Sequence, residues 1–282
     1  MTTVRSLEAV AGRGDWEVVG LAARHRRPPA PEVTPPVPVV GPPLPRLALY
    51  EAWHRLRRPR PQRYAGEVDV VHATGGVVPP AGGAALVVTV HDLAFLHHPE
   101  YFTRRGVRFM TRAWELARRG ADRLVCPSRA TADDCVAHGA DPDRITVVPW
   151  GVRVPLLDEA TVDGVRRRLG LPPAYLLWVG TTEPRKNLRG LLTAVARTRN
   201  ELPLVVVGPE GWGADVSRLL ADAGPRVLRL GRLPDTELHA VYSAATVFVW
   251  PSLREGFGMP VLEAMAHGTP VVTSATTSTA EV

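Results

Sequence analysis

The stretch YLLWVGTTEPRKNLRGLLTAVARTRNELPLVVVG, residues 175–208, decides the fold class. Two short apolar runs, 175–180 and 204–208, enclose a segment whose leucines and valine recur at helical spacing from Leu188 to Val195. Apolar residues at positions i, i+3, i+4 and i+7 form one face of an α-helix. A strand, a helix and a second strand in this order predict a parallel β-sheet that is covered by helices.

The same alternation of apolar runs and amphipathic stretches continues along most of the chain. Thr103 to Gly120 is the clearest further helix, since its apolar residues again share one face. Further strands are predicted at residues 16–22, 68–73, 86–90, 123–127, 145–149, 227–231, 246–250 and 270–274. The fold class is therefore α/β, with two Rossmann-like, doubly wound domains at residues 1–150 and 151–282.

Three segments depart from this pattern. Residues 28–45 are rich in proline, which suits neither a helix nor a central strand, so we expect an ordered surface loop there. The chain opens in an amphipathic helix around Leu7, with no preceding strand and glycine-rich turn, and it stops at Val282, just after a strand. We therefore expect both domains to be incomplete, with a first βα unit and the C-terminal helices missing.

Composition excludes several classes of protein. The 282 residues are 45% hydrophobic and 22% charged, which is ordinary globular usage. The net charge of +6 favours an anionic partner, although the excess is arginine spread along the whole chain. Two cysteines make no disulfide framework, and no apolar run approaches the roughly eighteen residues of a membrane span. We expect a cytoplasmic protein whose membrane contact is at most peripheral, at the inner face.

Ligands of open parallel sheets bind at the carboxyl ends of the strands. Polar or glycine-rich segments follow four of the predicted strands, namely His91-Asp92, Glu183 to Asn187, Gly208 to Gly211, and Arg254 to Gly258. Arg185 and Lys186 stand where the next helix begins, so they and the positive helix end can bind a diphosphate and stabilise it as a leaving group. A solvated basic helix start is the alternative for such a pair.

A second motif, REGFGMPVLEAMAHGTPVV, carries two carboxylates. Pro260 and Gly268 bracket a short predicted helix, which places Glu263 near its N-terminal end and Glu255 on the loop before it. The glycines of this loop let backbone N–H groups approach a ligand, while the carboxylates can accept hydrogen bonds from sugar or ribose hydroxyls. A glycosidase acid and base pair is the alternative, but it would need neither the cations nor the glycine loop.

Together the segments PSLREGFGMPVLEAMAHGTPVV and VGTTEPRKNLRGLL resemble glycosyltransferase family 4, a retaining family of group 1 glycosyltransferases with the two-domain GT-B fold. HDLAFLHHPEYF, VCPSRAT and ITVVPWGV are similar to family segments in the same order, so the resemblance runs from about residue 2 to the end. It implies an acceptor-side domain at residues 1–150 and a nucleotide-sugar-binding domain at residues 151–282.

The resemblance also implies roles for particular residues. Arg185 and Lys186 would bind the donor diphosphate, and Glu263 the ribose. Glu255 would lie by the donor sugar, and His91 would approach that sugar from the first domain. The remaining implied donor contacts are Leu233, through its backbone near the base, and Gly256, Phe257 and Gly258 around the sugar. Family members retain anomeric configuration and need no bound metal, so no cofactor is expected.

The expected function is the transfer of a hexose, mannose or a related sugar, from a nucleoside diphosphate sugar to a saccharide or a lipid-linked acceptor. An inactive fragment that retains a partial nucleotide-sugar site is the alternative. His97 and His98 suggest a metal pair, but neighbouring histidines do not share a face and the sequence shows no third ligand nearby, so a solvated loop is expected. A nucleic-acid partner is not expected, because no recognised binding motif accompanies the basic charge.

Overall fold

The structure is a computed structural model of the chain. The residues it describes are 2–29, 34–198, 201–211, 218, 220 and 226–282. The chain divides into two compact units, Met1–Val148 and Pro149–Val282. Each unit has a hydrophobic core of its own. Among the described residues, no helix is long and apolar enough to cross a membrane.

The first unit contains two parallel sheets. The smaller pairs β1 (Gly20–Leu21) with β2 (Val39–Val40). The larger runs in the order β3-β4-β5-β6, with β3 Val70–Ala73, β4 Ala85–Thr89, β5 Arg123–Cys126 and β6 Ile145–Val147. The helices are α1 Thr2–Ala11, α2 Arg46–Leu56, α3 Gln62–Ala65, α4 Ala94–His97, α5 Arg104–Gly120 and α6 Arg129–Ala137. Short 3₁₀ turns lie at Pro99–Tyr101 and Pro142–Arg144.

Two predictions for the first unit need correction. The strand predicted at residues 16–22 shrinks to β1, and Trp16 before it is 59% exposed. The proline-rich segment 28–45 is not loop throughout, because it contributes β2, whose neighbour Pro38 accepts a hydrogen bond from the Gly20 amide. Proline lacks a donor but keeps its carbonyl, which is enough for the edge of a short pair. Residues 30–33 lie outside the described part.

The long helix of the first unit is confirmed. Thr103 caps α5, since its side chain accepts a hydrogen bond 3.0 Å long from the Gly106 amide. Ala113, Trp114 and Ala117 are the buried face of α5 and join the core over the larger sheet. The same core holds both cysteines, whose Sγ atoms lie 3.8 Å apart as free thiols.

A buried histidine makes the first unit sensitive to acid. The Nε2 atom of His54 accepts a 3.1 Å hydrogen bond from the Val78 amide, so this nitrogen must stay unprotonated. Burial lowers the pKa of His54 from about 6.5 to about 4, and the nearby Arg57 adds to the shift. The unfolded chain therefore binds a proton that the folded chain excludes, and stability falls as the pH drops from 6.5 to 4.

We expect His54→Gln to lose part of this pH dependence, because the Gln carbonyl can accept the Val78 amide without titrating. Urea unfolding at pH 7, 5.5 and 4.5 measures the effect. His25→Gln is the control, since the His25 side chain is exposed. Parallel pH profiles for the wild type and His54→Gln would contradict the assignment.

The second unit is one five-stranded parallel sheet in the order β11-β10-β7-β8-β9. Its strands are β7 Leu176–Val179, β8 Leu204–Val207, β9 Val227–Gly231, β10 Val247–Trp250 and β11 Val271–Thr273. The described helices are α7 Glu159–Leu169, α8 Leu188–Arg197, α9 Asp235–Ser243 and α10 Met259–Ala266. All five predicted strands of this half are confirmed within one or two residues.

The strand order creates a switch point in this sheet. From β7 the chain adds β8 and β9 on one side, and then crosses over to add β10 and β11 on the other. In parallel sheets, ligands bind beside the carboxyl ends of the adjacent strands at such a switch point. Arg185 and Lys186 follow β7, and Glu255 follows β10, so both sequence motifs stand at this switch point.

Candidate donor site

The loop after β7 is shaped by a 3₁₀ turn, Pro184–Lys186, and by the residue that follows it. Asn187 has a left-handed backbone (φ 52°) and caps α8, because its Oδ1 atom accepts from the Gly190 amide at 3.2 Å. Asparagine tolerates this conformation better than most residues. Helix α8 therefore begins where the two cations end, as the sequence predicts.

Three hydrogen bonds join this loop to the loop after β10. The Asn187 side-chain amide donates to the Pro251 carbonyl at 3.1 Å. The carbonyl of Arg185 accepts from the Ser252 hydroxyl at 3.0 Å and from the Leu253 amide at 2.8 Å. The two motifs, which lie about seventy residues apart in sequence, therefore form one rigid rim.

Two cations and two carboxylates meet at this rim. Lys186 Nζ lies 2.5 Å from Glu255 Oε1, and Arg185 NH1 lies 3.2 Å from Glu255 Oε2. Glu183 also takes part, with its Oε1 atom 3.1 Å from Arg185 Nε and 3.9 Å from Lys186 Nζ. We call these four residues the charge cluster. The formal charges of these four residues cancel, so the charge cluster has no net charge when no ligand is bound.

The charge cluster is shielded from water. The exposed side-chain fraction is 19% for Arg185, 12% for Lys186, 9% for Glu183 and 7% for Glu255. Burial lowers the pKa of the Lys186 ammonium from its usual value, while the Glu255 carboxylate opposes the shift. Charges held in a poorly hydrated place act more strongly on a ligand than charges in bulk water. An anion that reaches Arg185 and Lys186 would therefore interact strongly with them, in competition with the carboxylates of Glu183 and Glu255.

Lys186 packs against a buried aromatic ring. Its Nζ atom lies 5.0 Å from the centroid of the Trp250 ring, which is within the range of a cation–π contact. Trp250 is fully buried and lies 5.5 Å, centroid to centroid, from the Trp178 ring. Since Trp250 ends β10, the position of the ammonium is set by the packing of the sheet itself.

The helix that carries Glu263 begins after a glycine with a left-handed backbone. Gly258 precedes α10 with φ 109°, and a Cβ there would meet the side chain of Thr279 at 2.9 Å, so only glycine fits. Pro260 occupies the first turn of α10 and Gly268 follows its end, as predicted. Glu263 accepts a 3.2 Å hydrogen bond from the buried Tyr242 hydroxyl, which orients one face of its carboxylate.

The other predicted site residues are placed as follows. Gly256 and Phe257 are buried on the loop before α10, and the Phe257 ring lies 5.6 Å from that of Trp150. Leu233 packs against the core of the second unit. His91 belongs to the first unit, directly after β4, with its Nε2 atom 2.7 Å from the Thr74 carbonyl oxygen. The structure thus brings Arg185, Lys186 and Glu255 into direct contact.

Sequence reasoning missed two supporting residues. Glu183 was visible among the polar residues after β7, but nothing in the sequence indicated that it would turn back toward Arg185. Tyr242 was missed because it lies on α9, far from either motif in sequence, and carries no signal beyond its place in an amphipathic helix. The sequence also sets Lys186 apart, because it is the only lysine and every other residue of the Lys and Arg group is arginine.

The expectation that His97 has no further ligand nearby was wrong. Its Nε2 atom lies 2.6 Å from Asp134 Oδ1, and His138 lies beside the same carboxylate. Both partners belong to the end of α6, about forty residues further along the chain, so local sequence could not show them. His98 instead pairs with Glu100 at 3.1 Å.

Comparison with known proteins agrees with these observations. Residues 2–154 match the family model described as Glycosyltransferase Family 4, and residues 165–282 match that of Glycosyl transferases group 1. The O-antigen chain mannosyltransferase B of Escherichia coli is 34% identical over 247 residues, with 83% of this chain aligned. This chain spans 65% of the length of that relative.

Two solved structures resemble the fold. WaaG, a glycosyltransferase involved in lipopolysaccharide biosynthesis, aligns with a TM-score of 0.72 at 21% identity, covering 99% of this chain and 78% of its own. Anabaena HepE, solved in complex with UDP and glucose, aligns with a TM-score of 0.67 at 22% identity, covering 87% and 69%. These likenesses show the GT-B fold. Since the first family model alone covers more than half of the residues, the chain belongs to glycosyltransferase family 4.

Proposed function

We propose that this chain transfers a hexose from a nucleoside diphosphate sugar to a saccharide or lipid-linked acceptor, with retention of anomeric configuration and without a metal on the diphosphate. The charge cluster at the switch point is the observation that carries the proposal. It offers two shielded cations on a rigid rim, next to the N-terminal end of α8, whose dipole also attracts anions.

Catalysis would follow from stabilising the departing diphosphate. As the bond between the anomeric carbon and the phosphate oxygen breaks, negative charge grows on that oxygen, and Arg185 and Lys186 would stabilise it. The acceptor hydroxyl would attack from the same face and pass its proton to the leaving phosphate oxygen. Glu255 holds both cations before the donor binds, so little reorganisation would be needed when it arrives.

The remaining contacts are inferred from the resemblance to the family. Glu255 and the backbone of Gly256, Phe257 and Gly258 would surround the donor sugar. Glu263 would bind the ribose hydroxyls with the carboxylate that the Tyr242 hydroxyl helps to orient. The remaining proposed contacts are the backbone near Leu233 to the base and His91 to the sugar. Membrane contact would be peripheral, at the inner face, where lipid-linked acceptors are exposed.

Two relatives guide the choice of donor. The Escherichia coli relative is a mannosyltransferase, which favours GDP-mannose or a related hexose donor here. HepE has been solved with UDP-glucose, which keeps UDP-glucose as the competing donor. Base recognition through backbone atoms would leave little trace in the sequence, so nucleotide preference has to be measured.

Calorimetric titration of the 282-residue chain with GDP, UDP and ADP tests the proposal. We expect one nucleotide to bind in preference, and Glu263→Ala to weaken it by about tenfold or more, the usual cost of losing hydrogen bonds to a charged group. Glu159→Ala, in the exposed first turn of α7, is the matched control and should bind normally.

Incubation with the matching nucleotide sugar then tests catalysis, with the anomeric configuration of the product read by NMR. Failure of all three nucleotides to bind, or unchanged binding by Glu263→Ala, would refute the donor site. Binding without transfer or donor hydrolysis would refute the catalytic part and support an inactive nucleotide-sugar binder.

A further inference from the structure

A cluster of two histidines and one aspartate lies in the first unit, outside the proposed donor site. His97 is the last residue of α4, while Asp134 and His138 lie one turn apart at the end of α6. One ligand atom from each side chain falls within 4.8 Å of the other two. In the part of the chain that the structure describes, no other group of three such side chains comes this close.

The carboxylate lies at the centre of this cluster. Asp134 Oδ1 is 2.6 Å from His97 Nε2 and 3.3 Å from His138 Nδ1. The two imidazole rings meet edge to face, with centroids 5.0 Å apart. Both rings therefore place a nitrogen close to the same carboxylate oxygen, which gathers three possible ligand atoms in one place. His138 Nδ1 also lies 2.8 Å from the Asp134 main-chain carbonyl oxygen, a contact that it would give up to bind an ion.

Exposure of the three side chains suits an ion that enters from solvent. The Asp134 side chain is only 8% exposed, whereas His97 and His138 are 31% and 30% exposed. A buried carboxylate needs partners, and the two imidazoles contact Asp134 here. The partly exposed imidazoles leave a path by which a cation can reach all three side chains from solvent.

We propose that His97, Asp134 and His138 form a binding site for a divalent transition metal ion, with Zn²⁺ as the best match. Imidazole and carboxylate ligands suit Zn²⁺ at about 2.0–2.2 Å, which sets ligand atoms roughly 3.3 Å apart in tetrahedral geometry. The spacing between His138 and Asp134 already meets this value. The shorter spacing between His97 and Asp134 is that of a hydrogen bond, whose proton the metal would replace.

Metal binding would tie two elements of the first unit together. His97 ends the segment that follows β4 and begins with His91, while α6 packs on β5 and β6 of the larger sheet. An ion shared by α4 and α6 would therefore hold the His91 segment against the sheet. The site needs no contribution from the charge cluster, so it stands or falls independently of the proposed function.

Titration of the untagged, metal-free protein with Zn²⁺ at pH 7.5 tests the inference. We expect one Zn²⁺ per chain and a rise in the melting temperature of the wild type, because binding to the folded state alone stabilises it. Co²⁺ substitution should produce visible absorption bands typical of nitrogen and oxygen ligands. Inorganic ions alone serve as probes, and no activity measurement is needed.

Variants separate this site from adventitious binding. His97→Ala and Asp134→Asn should each weaken Zn²⁺ binding by about tenfold or more and abolish the cobalt bands. His98→Ala is the matched control. His98 pairs with Glu100 and is not part of the cluster, so this variant should bind Zn²⁺ like the wild type. Melting curves without metal confirm that each variant folds. No stoichiometric binding by the wild type, retained binding in both cluster variants, or equal loss in His98→Ala would overturn the site.

Discussion

Lys186→Ala is expected to lower the turnover of the nucleotide sugar by about 10²–10³-fold, the usual effect of removing one group that stabilises developing negative charge. The Lys186 side chain is 12% exposed and its ammonium lies 2.5 Å from Glu255 Oε1, so its charge acts in a poorly hydrated place. Donor binding should weaken less than turnover, because charge on the diphosphate grows as the bond to the sugar breaks.

Two further variants make the Lys186 measurement specific. Arg189→Ala removes an exposed cation one turn further along the same segment and should keep nearly full turnover. Lys186→Arg keeps the charge but changes its shape, so we expect it to recover only part of the activity. Steady-state kinetics with the preferred donor gives kcat and KM separately. Turnover by Lys186→Ala within about threefold of wild type would contradict the proposed role of the cluster.

The single lysine allows a direct probe of the same site. An amine-selective reagent can modify only Lys186 and the N-terminal amine, since the sequence has no other lysine. Protection of Lys186 by the bound nucleotide, read by mass spectrometry, would show that the diphosphate covers it.

Trp250→Ala is expected to destabilise the second unit by about 3–5 kcal/mol, the usual cost of removing a large buried aromatic side chain. Trp250 is fully buried between Trp178 and Phe248, with ring centroids 5.5 Å and 5.8 Å away. Its loss would leave a cavity at the end of β10, directly beneath Lys186. The stability of the second unit and the binding of the donor should therefore decrease together.

Urea unfolding followed by circular dichroism measures this change. Trp250→Phe should cost less, because it keeps an aromatic ring and because Trp250 Nε1 has no hydrogen-bond partner among the described residues. Trp16→Ala is the control, since Trp16 is 59% exposed, and we expect it to stay within about 0.5 kcal/mol of wild type. A loss below about 1 kcal/mol in Trp250→Ala would show that the second core is not organised around this ring.

Prediction from sequence succeeded best where signals were local. The strand at 204–208 and the helix from Leu188 could be placed because burial on a sheet or on one helix face leaves a period in the sequence. The prediction of a strand over residues 16–22 was wrong for most of its length. The observed strand has only two residues, and so short a strand buries too little surface to mark its ends in the sequence. The motif residues were found because their types are unusual at strand ends.

The amino-acid sequence by itself determined the α/β class, the positions of the second unit's strands, and the two motifs that converge on one rim. Tertiary structure alone decided which charges pair, that Glu183 and Tyr242 support the site, and that His97 meets Asp134 and His138. The physical reason is the range of each effect. Hydrophobic periodicity and capping act within a few turns of the chain, whereas strand order and helix packing bring together residues that no local pattern connects.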